Sequence, residues 1–357
     1  MPSDVTVRRL LRAASLVHKL RRRRYEATAT KRTIAARRAQ FYRDVWREAA
    51  ESVGGELTTL GGAALELRCG PVTLRTQASV TSLDDPLTIA VAEDKVLVYR
   101  LLAQRNLPVP RHTVCAATDL RAAWAFARSL RRPCVVKPAR DTSGAIGVAT
   151  GVATRGQMAA ALVRGGAFCD DLIVEEQVRG DVYRLLYMDG ELLDAVLRRP
   201  PTVRGDGTST VAALVAAENR RRLEGGIEAS QSLLKTDSEM RRTLRRQGSS
   251  LRSVPRAGQT VVLSGIVNDN RRDDNVSAAG RLCRDVVAAG AEAAAAVGAR
   301  LAGVDLITPD PSVPLSRAGG VVIEVNTTPG YYYHYMKADG RTPVATMILQ
   351  RLLREAT

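Results

Sequence analysis

The spacing of apolar residues changes period several times along this chain. Residues 4–50 read as helical, most clearly in RRAQFYRDVWREAAESV, where Phe41, Val45, Trp46 and Ala49 recur on one face that should be buried. Over residues 54–76 the short runs ELTTL, AALELRC and VTLRTQ, separated by Gly and Pro, predict small strands. From residue 92 helices and strands follow in irregular order. EDKVLVYRLLAQRNLPVPRHTV predicts a helix and a Pro-rich turn into a strand. CVVKP is a buried strand that enters a glycine-bearing turn. DLIVEEQVRGDVYRLLYMDGELLDAVLRRPP predicts three strands divided at Gly180 and at Asp189-Gly190, a hairpin signal. GDGTST opens a helix running through Arg222, and SAAGRLCRDVVAAGAEAAAAVGAR is an Ala-rich helix feeding the strand AGVDLITPD. The alternating VVIEVN, halted by TTPG, closes the series. This order is α+β rather than repeated βαβ units.

Residues two apart on a strand face the same way, so Glu324 and Asn326 share one side of that final strand. Asp305 comes level with them if its strand pairs antiparallel with theirs. Two carboxylates and an amide oxygen make a hard site suited to Mg²⁺ held with nucleotide phosphates. Lys137 ends a buried run just before the loop at 141–147, which includes Ser143, Gly144 and Gly147. Its ammonium is placed to meet phosphate oxygens and the loop's backbone N–H groups to close over them. Lys95 begins a helix, an unfavourable place for a cation unless an anion is near.

Composition changes this picture little. Only six of the 53 basic residues are lysines, and the net charge of +16 reads as arginine-rich coding as much as a polyanion surface. Few aromatics interleave with the basic runs, which disfavours nucleic acid as a partner, while an acidic substrate remains compatible. The five cysteines are scattered and read as reduced. With no long apolar run and no secretory signal, the expectation is a cytoplasmic protein without a membrane partner. The apolar face of the N-terminal helices suits a homodimer contact as readily as its own core.

In order, DKVLVYRLLAQRNLPVP, VVKPARDTSGAIGV, IVEEQVRGDVYRLLYMDGELLDAVLRRPPTVRGDG, AGVDLITPD and IEVNTTPG resemble the ATP-grasp superfamily, most closely the ATP-grasp half of cyanophycin synthetase and related amino-acid ligases. The resemblance implies two α+β subdomains gripping ATP, with a lid over about residues 115–180 of an ATP-grasp domain at 91–357. Before it come a basic helical segment at 1–40 and a small α/β domain at 41–90. It implies Lys95 and Lys137 on the phosphates, Glu175, Glu176 and Val178 at adenine, Asp181 near ribose, and Asp305, Glu324 and Asn326 on two Mg²⁺ ions. It further implies an amide or peptide bond formed between amino acids or small peptides through an acyl phosphate. Arg184 is placed to hold the substrate carboxylate or acyl phosphate. Of the adjacent Arg198 and Arg199 only one can reach the same site, and Arg199 is the expected one. The run GYYYHYMKADG after the metal strand suggests that Tyr331, Tyr332 and His334 line the substrate pocket. The chain ends after this core, without a second, Mur-ligase-like half, so the expectation is a stand-alone ligase. The alternatives are an ATP-grasp kinase and a basic nucleic-acid-binding protein.

Overall fold

The structure is a computed structural model that describes residues 4–26, 29–140, 142, 144–229, 232–268 and 270–356. Two helices, α1 (Asp4–Glu26) and α2 (Ala29–Ser52), lead the chain. The predicted face of α2 is buried: Phe41, Tyr42, Val45, Trp46, Ala49 and Ala50 pack on the helix Val344–Ala356 and on an antiparallel sheet. That sheet is β1 (Glu56–Gly61), β2 (Ala64–Cys69), β3 (Val72–Gln77) and β4 (Val80–Thr81), in chain order. Trp46 is fully enclosed and its indole N–H donates to the Ala78 carbonyl at 3.2 Å.

Two expectations change here. The boundary expected at residue 40 falls inside α2, and the 41–90 unit shares its core with Leu186, Met188 and Leu301 of the central sheet. A small sheet with one apolar face has to borrow its second layer. The apolar face of α2 is thereby covered by its own chain and is not free for a second subunit. The first helix goes elsewhere, with Leu11 buried among lid residues and the Ser15 hydroxyl donating to the Val163 carbonyl at 3.1 Å.

Next come α3 (Pro86–Glu93) and α4 (Lys95–Gln104), then four strands in and just before the span expected to form the lid, β5 (His112–Ala116), β6 (Cys134–Pro138), β7 (Ala149–Val152) and β8 (Asp171–Glu176). They form an antiparallel sheet in the order β5-β8-β6-β7, with the helices Leu120–Ser129 and Arg155–Gly166 packed on it. The central sheet takes β9 (Asp181–Met188) and β10 (Glu191–Arg198), joined through Asp189 and Gly190 at φ 48° and 80°, the left-handed pair a two-residue hairpin favours. A short ribbon follows, β11 (Thr202–Arg204) with β12 (Thr260–Val262), enclosing the helices Val211–Glu224 and Ser238–Arg246 around a small core of their own. Three more strands, β13 (Asn275–Ser277), β14 (Leu301–Thr308) and β15 (Val321–Asn326), complete the central order β13-β10-β9-β14-β15, all antiparallel. One face of this sheet packs on α4 and the helix Arg284–Ala296. Gly290 of that helix lies so close to Tyr187 that an added Cβ would sit 2.2 Å from its hydroxyl. No described helix is long and apolar enough to cross a membrane.

Candidate active site

Register sets the site. Asp305 of β14 pairs with Glu324 of β15 on one side and with Arg184 of β9 on the other, so three charged residues line up across the sheet. A β-bulge at Ile323 adds a residue to β15 beside the Asp305–Glu324 pair, so Ile323 and Glu324 both line the same cavity. Arg184 donates through Nε and Nη2 to the two Asp305 oxygens at 2.5 and 2.8 Å, and both side chains are buried. Burial opposes the charge on Arg184, but Asp305 beside it more than offsets this and holds the guanidinium protonated. The Asn326 amide nitrogen donates to the Gly303 carbonyl at 3.2 Å, which leaves the amide oxygen available to a cation.

Asp94 caps α4 by accepting from the N–H groups of Val96 and Leu97, both at 3.0 Å, and Lys95 follows it directly. The Lys95 ammonium donates to the Thr142 carbonyl at 2.9 Å and stands 3.5 Å from Glu324. Across the gap, Lys137 of β6 is 3.0 Å from Glu175 of β8 and donates to the Tyr99 hydroxyl at 2.7 Å.

Several of these groups border a cavity of about 250 Å³ between the lid and central sheets. Lys95, Lys137, Asp305, Glu324 and Arg198 supply its charged walls, and Val135, Val148, Val178, Ile307 and Ile323 its apolar ones. Glu175 and Glu176 also line it. Asp181 is exposed and lies on a neighbouring cavity with Arg198. Of the loop, Thr142 and Ala145 reach the main cavity while Gly144 and Gly147 shape the turn at φ 64° and 80°. Gly147 has no room for a side chain, since a Cβ would sit 2.7 Å from Pro138. Ser143 lies outside the described residues.

Four expected site residues are corrected. Arg199 is exposed and off the cavity, whereas its neighbour Arg198 is buried and lines it. Opposite-facing side chains allow only one, and strand parity chose Arg198. Its guanidinium lies 3.8 Å from the centre of the Tyr333 ring and donates to the Val267 carbonyl at 3.0 Å and to Asn268 Oδ1 at 2.8 Å. Tyr331, Tyr332 and His334 are core residues. Tyr331 packs edge-on against Trp46, and Tyr332 against Phe41 of α2. His334 is fully buried, with Nδ1 2.8 Å from Asp194, whose carboxylate also meets Lys337 at 3.1 Å. The aromatic run forms the short helix Tyr332–Tyr335 against α2, so its side chains diverge instead of lining one wall. Of Tyr331, Tyr332 and Tyr333, it is Tyr333 whose ring lies against the cavity-lining Arg198. Its signal in the sequence, one tyrosine among four, did not separate it from the rest.

Burial lowers the pKa of His334 below 6.5 despite the Asp194 contact. The unfolded chain therefore takes up a proton first as pH falls, so stability is kept above about pH 6.5 and lost progressively below it. Thermal melts from pH 7.5 to 5.0 should show this decline, and His334→Gln should flatten the part between pH 6.5 and 5.5. An equal decline in the variant would assign the loss to other groups.

Among the described residues no group of three or more His, Cys, Asp or Glu gathers as a metal centre. The donors are the Asp305 and Glu324 carboxylates at this cavity and the Asn326 amide on an adjoining cavity that Glu324 also lines, a hard-oxygen set that fits Mg²⁺ and not a thiophilic ion.

A lid sheet and a central antiparallel sheet closing on a cavity with two lysines and paired acids define an ATP-grasp chain related to carboxylate–amine ligases. The relatives agree. The chain is 28% identical over 316 residues to cyanophycin synthetase of a Nostoc species, covering 84% of this chain and 35% of that protein. It is 30% identical over 285 residues to the bifunctional glutathione biosynthesis protein of Streptococcus mutans, covering 78% of this chain and 37% of that one. Among solved structures, a bifunctional glutathione synthetase from Pasteurella multocida superposes with a TM-score of 0.54 at 25% identity, over 86% of this chain and 44% of that chain. The chain thus spans roughly a third of the length of the first two curated relatives it matches. No family model matches it.

Proposed function

We propose that the chain joins a carboxylate to an amine with hydrolysis of ATP to ADP and phosphate, acting on amino acids or small peptides. The observation that carries this reading is the row Glu324–Asp305–Arg184 across paired strands, flanked by Lys95 and Lys137 on one cavity. Lys95 and Lys137 neutralise phosphate oxygens, and the apolar walls take the base. Asp305, Glu324 and Asn326 would hold Mg²⁺, two ions in this reading, whose charge would offset the negative charge of the phosphoryl group in transfer. Arg198, fixed over Tyr333 and lining the cavity, faces the substrate carboxylate. A carboxylate oxygen takes the γ-phosphoryl group, ADP leaves, and the amine attacks the acyl carbon. Phosphate then departs and the amine's proton passes to water. Arg198 stabilises the anionic acyl phosphate through charge-assisted hydrogen bonds.

The test is ADP release by the purified protein with Mg²⁺ and ATP against pooled amino acids and dipeptides, with mass spectrometry of each active pool. A product lighter by one water than two pool members is expected. A phosphorylated product that needs no amine would replace the ligase with a kinase.

A further inference from the structure

Tyr99 lies one turn after Lys95 on α4 and contacts Glu175 and Lys137 of the site. Its ring is fully enclosed, tilted at 54° against His112 of β5 with 4.8 Å between centroids, and the Lys137 ammonium lies 4.9 Å from its centre. Its hydroxyl donates to Glu175 Oε2 at 2.8 Å, accepts from Lys137 at 2.7 Å and lies 3.3 Å from the Ile323 carbonyl. One side chain therefore meets β5, β6 and β8 of the lid and the bulge of β15 that sets the direction of Glu324. Burial and the Glu175 charge push the phenol well above its usual pKa of 10, so it stays a donor throughout the working range of pH.

We infer that Tyr99 is a positioning residue that holds the Lys137 ammonium toward the nucleotide and ties the lid sheet to the central strand bearing Glu324. An ammonium has three donors. Glu175 takes one and Tyr99 another, and the third stays directed at a phosphate. Without the phenol oxygen, Lys137 keeps Glu175 as its buried partner and collapses onto it, its charge spent on the carboxylate. The inference rests on the reading above that Lys137 contacts phosphate.

A double-mutant cycle on Mg·ADP binding tests it, by calorimetry on the full chain with Tyr99→Phe, Lys137→Met and both together. Tyr99→Phe keeps the ring and removes one oxygen, and melting temperatures without nucleotide check that each variant is folded. Tyr99→Phe should weaken binding about tenfold, as expected for one hydrogen bond at a charged group. The double variant should bind no worse than Lys137→Met alone, because Tyr99 acts through the lysine. Wild-type affinity in Tyr99→Phe, or losses that simply multiply in the double variant, would overturn the inference and leave the phosphate reading intact. Wild-type affinity in Lys137→Met would overturn that reading and the inference with it.

Discussion

On the proposed function, Glu324→Gln should cut ATP turnover by about 10³-fold or more and leave the melting temperature almost unchanged. Glutamine keeps the volume and one carbonyl oxygen but removes the charge that a divalent ion needs beside a triphosphate. Nothing in the packing compensates, because the Asp305 charge is already shared with Arg184 and Asn326 is neutral. The stability change is small for a separate reason. The Glu324 side chain is 27% exposed and its contact with Lys95 is 3.5 Å, so the ion pair is partly solvated and contributes little. ADP release and the Mg²⁺ dependence of nucleotide binding, measured with a thermal melt, check both halves. Turnover retained at even a tenth of the wild-type rate would remove Glu324 from the metal site.

The second large effect falls on stability and activity together. Asp305→Ala leaves the Arg184 guanidinium buried without its partner, which costs about 3–5 kcal/mol of folding stability and the activity with it. Loss of activity alone would therefore say little about Asp305 as a ligand. The pair Asp305→Leu with Arg184→Met separates the roles. Apolar residues of similar volume remove both buried charges at once, and stability should return to within about 1–2 kcal/mol of wild type. Turnover should stay lost. Urea unfolding gives the first quantity and ADP release the second. A double variant that is stable and active would show the pair to be structural only.

Lid and site dynamics follow from the same contacts. The lid is tied to the central sheet through buried polar groups at Tyr99 and to the Ser238–Arg246 helix through Glu239, which accepts from the Thr150 backbone at 3.1 Å and from Arg242 at 2.6 Å. Thr150 itself lines the cavity between the two sheets. Binding at the cavity therefore acts on groups from both sides of the cleft at once.

Much of this was legible in the chain. The alternation in VVIEVN placed Glu324 on a strand face, the buried run before Lys137 ended at a glycine loop, and Asp189-Gly190 marked a hairpin that closes through two left-handed residues. Each is a local signal, a period or a backbone demand carried by a few neighbouring residues. The ordered motifs together identified the superfamily, since several independent local patterns in one order leave few folds.

Other features depended on pairing between distant strands. The bulge at Ile323 exists only in the β14–β15 register, and that register sets Asp305 beside both Glu324 and Arg184. The choice between Arg198 and Arg199 waited on which face of β10 met the cavity, a matter of one residue in two. The tyrosine run reads as a pocket wall but is core, because α2 presents an aromatic face to it from far along the chain, Tyr42 and Tyr331 being 289 residues apart. By itself the sequence determined the elements, their side-chain periods and the chemistry available. The tertiary structure decided which polar residues face solvent, ligand or one another, because burial depends on what packs opposite, and a residue's neighbours along the chain do not carry that information.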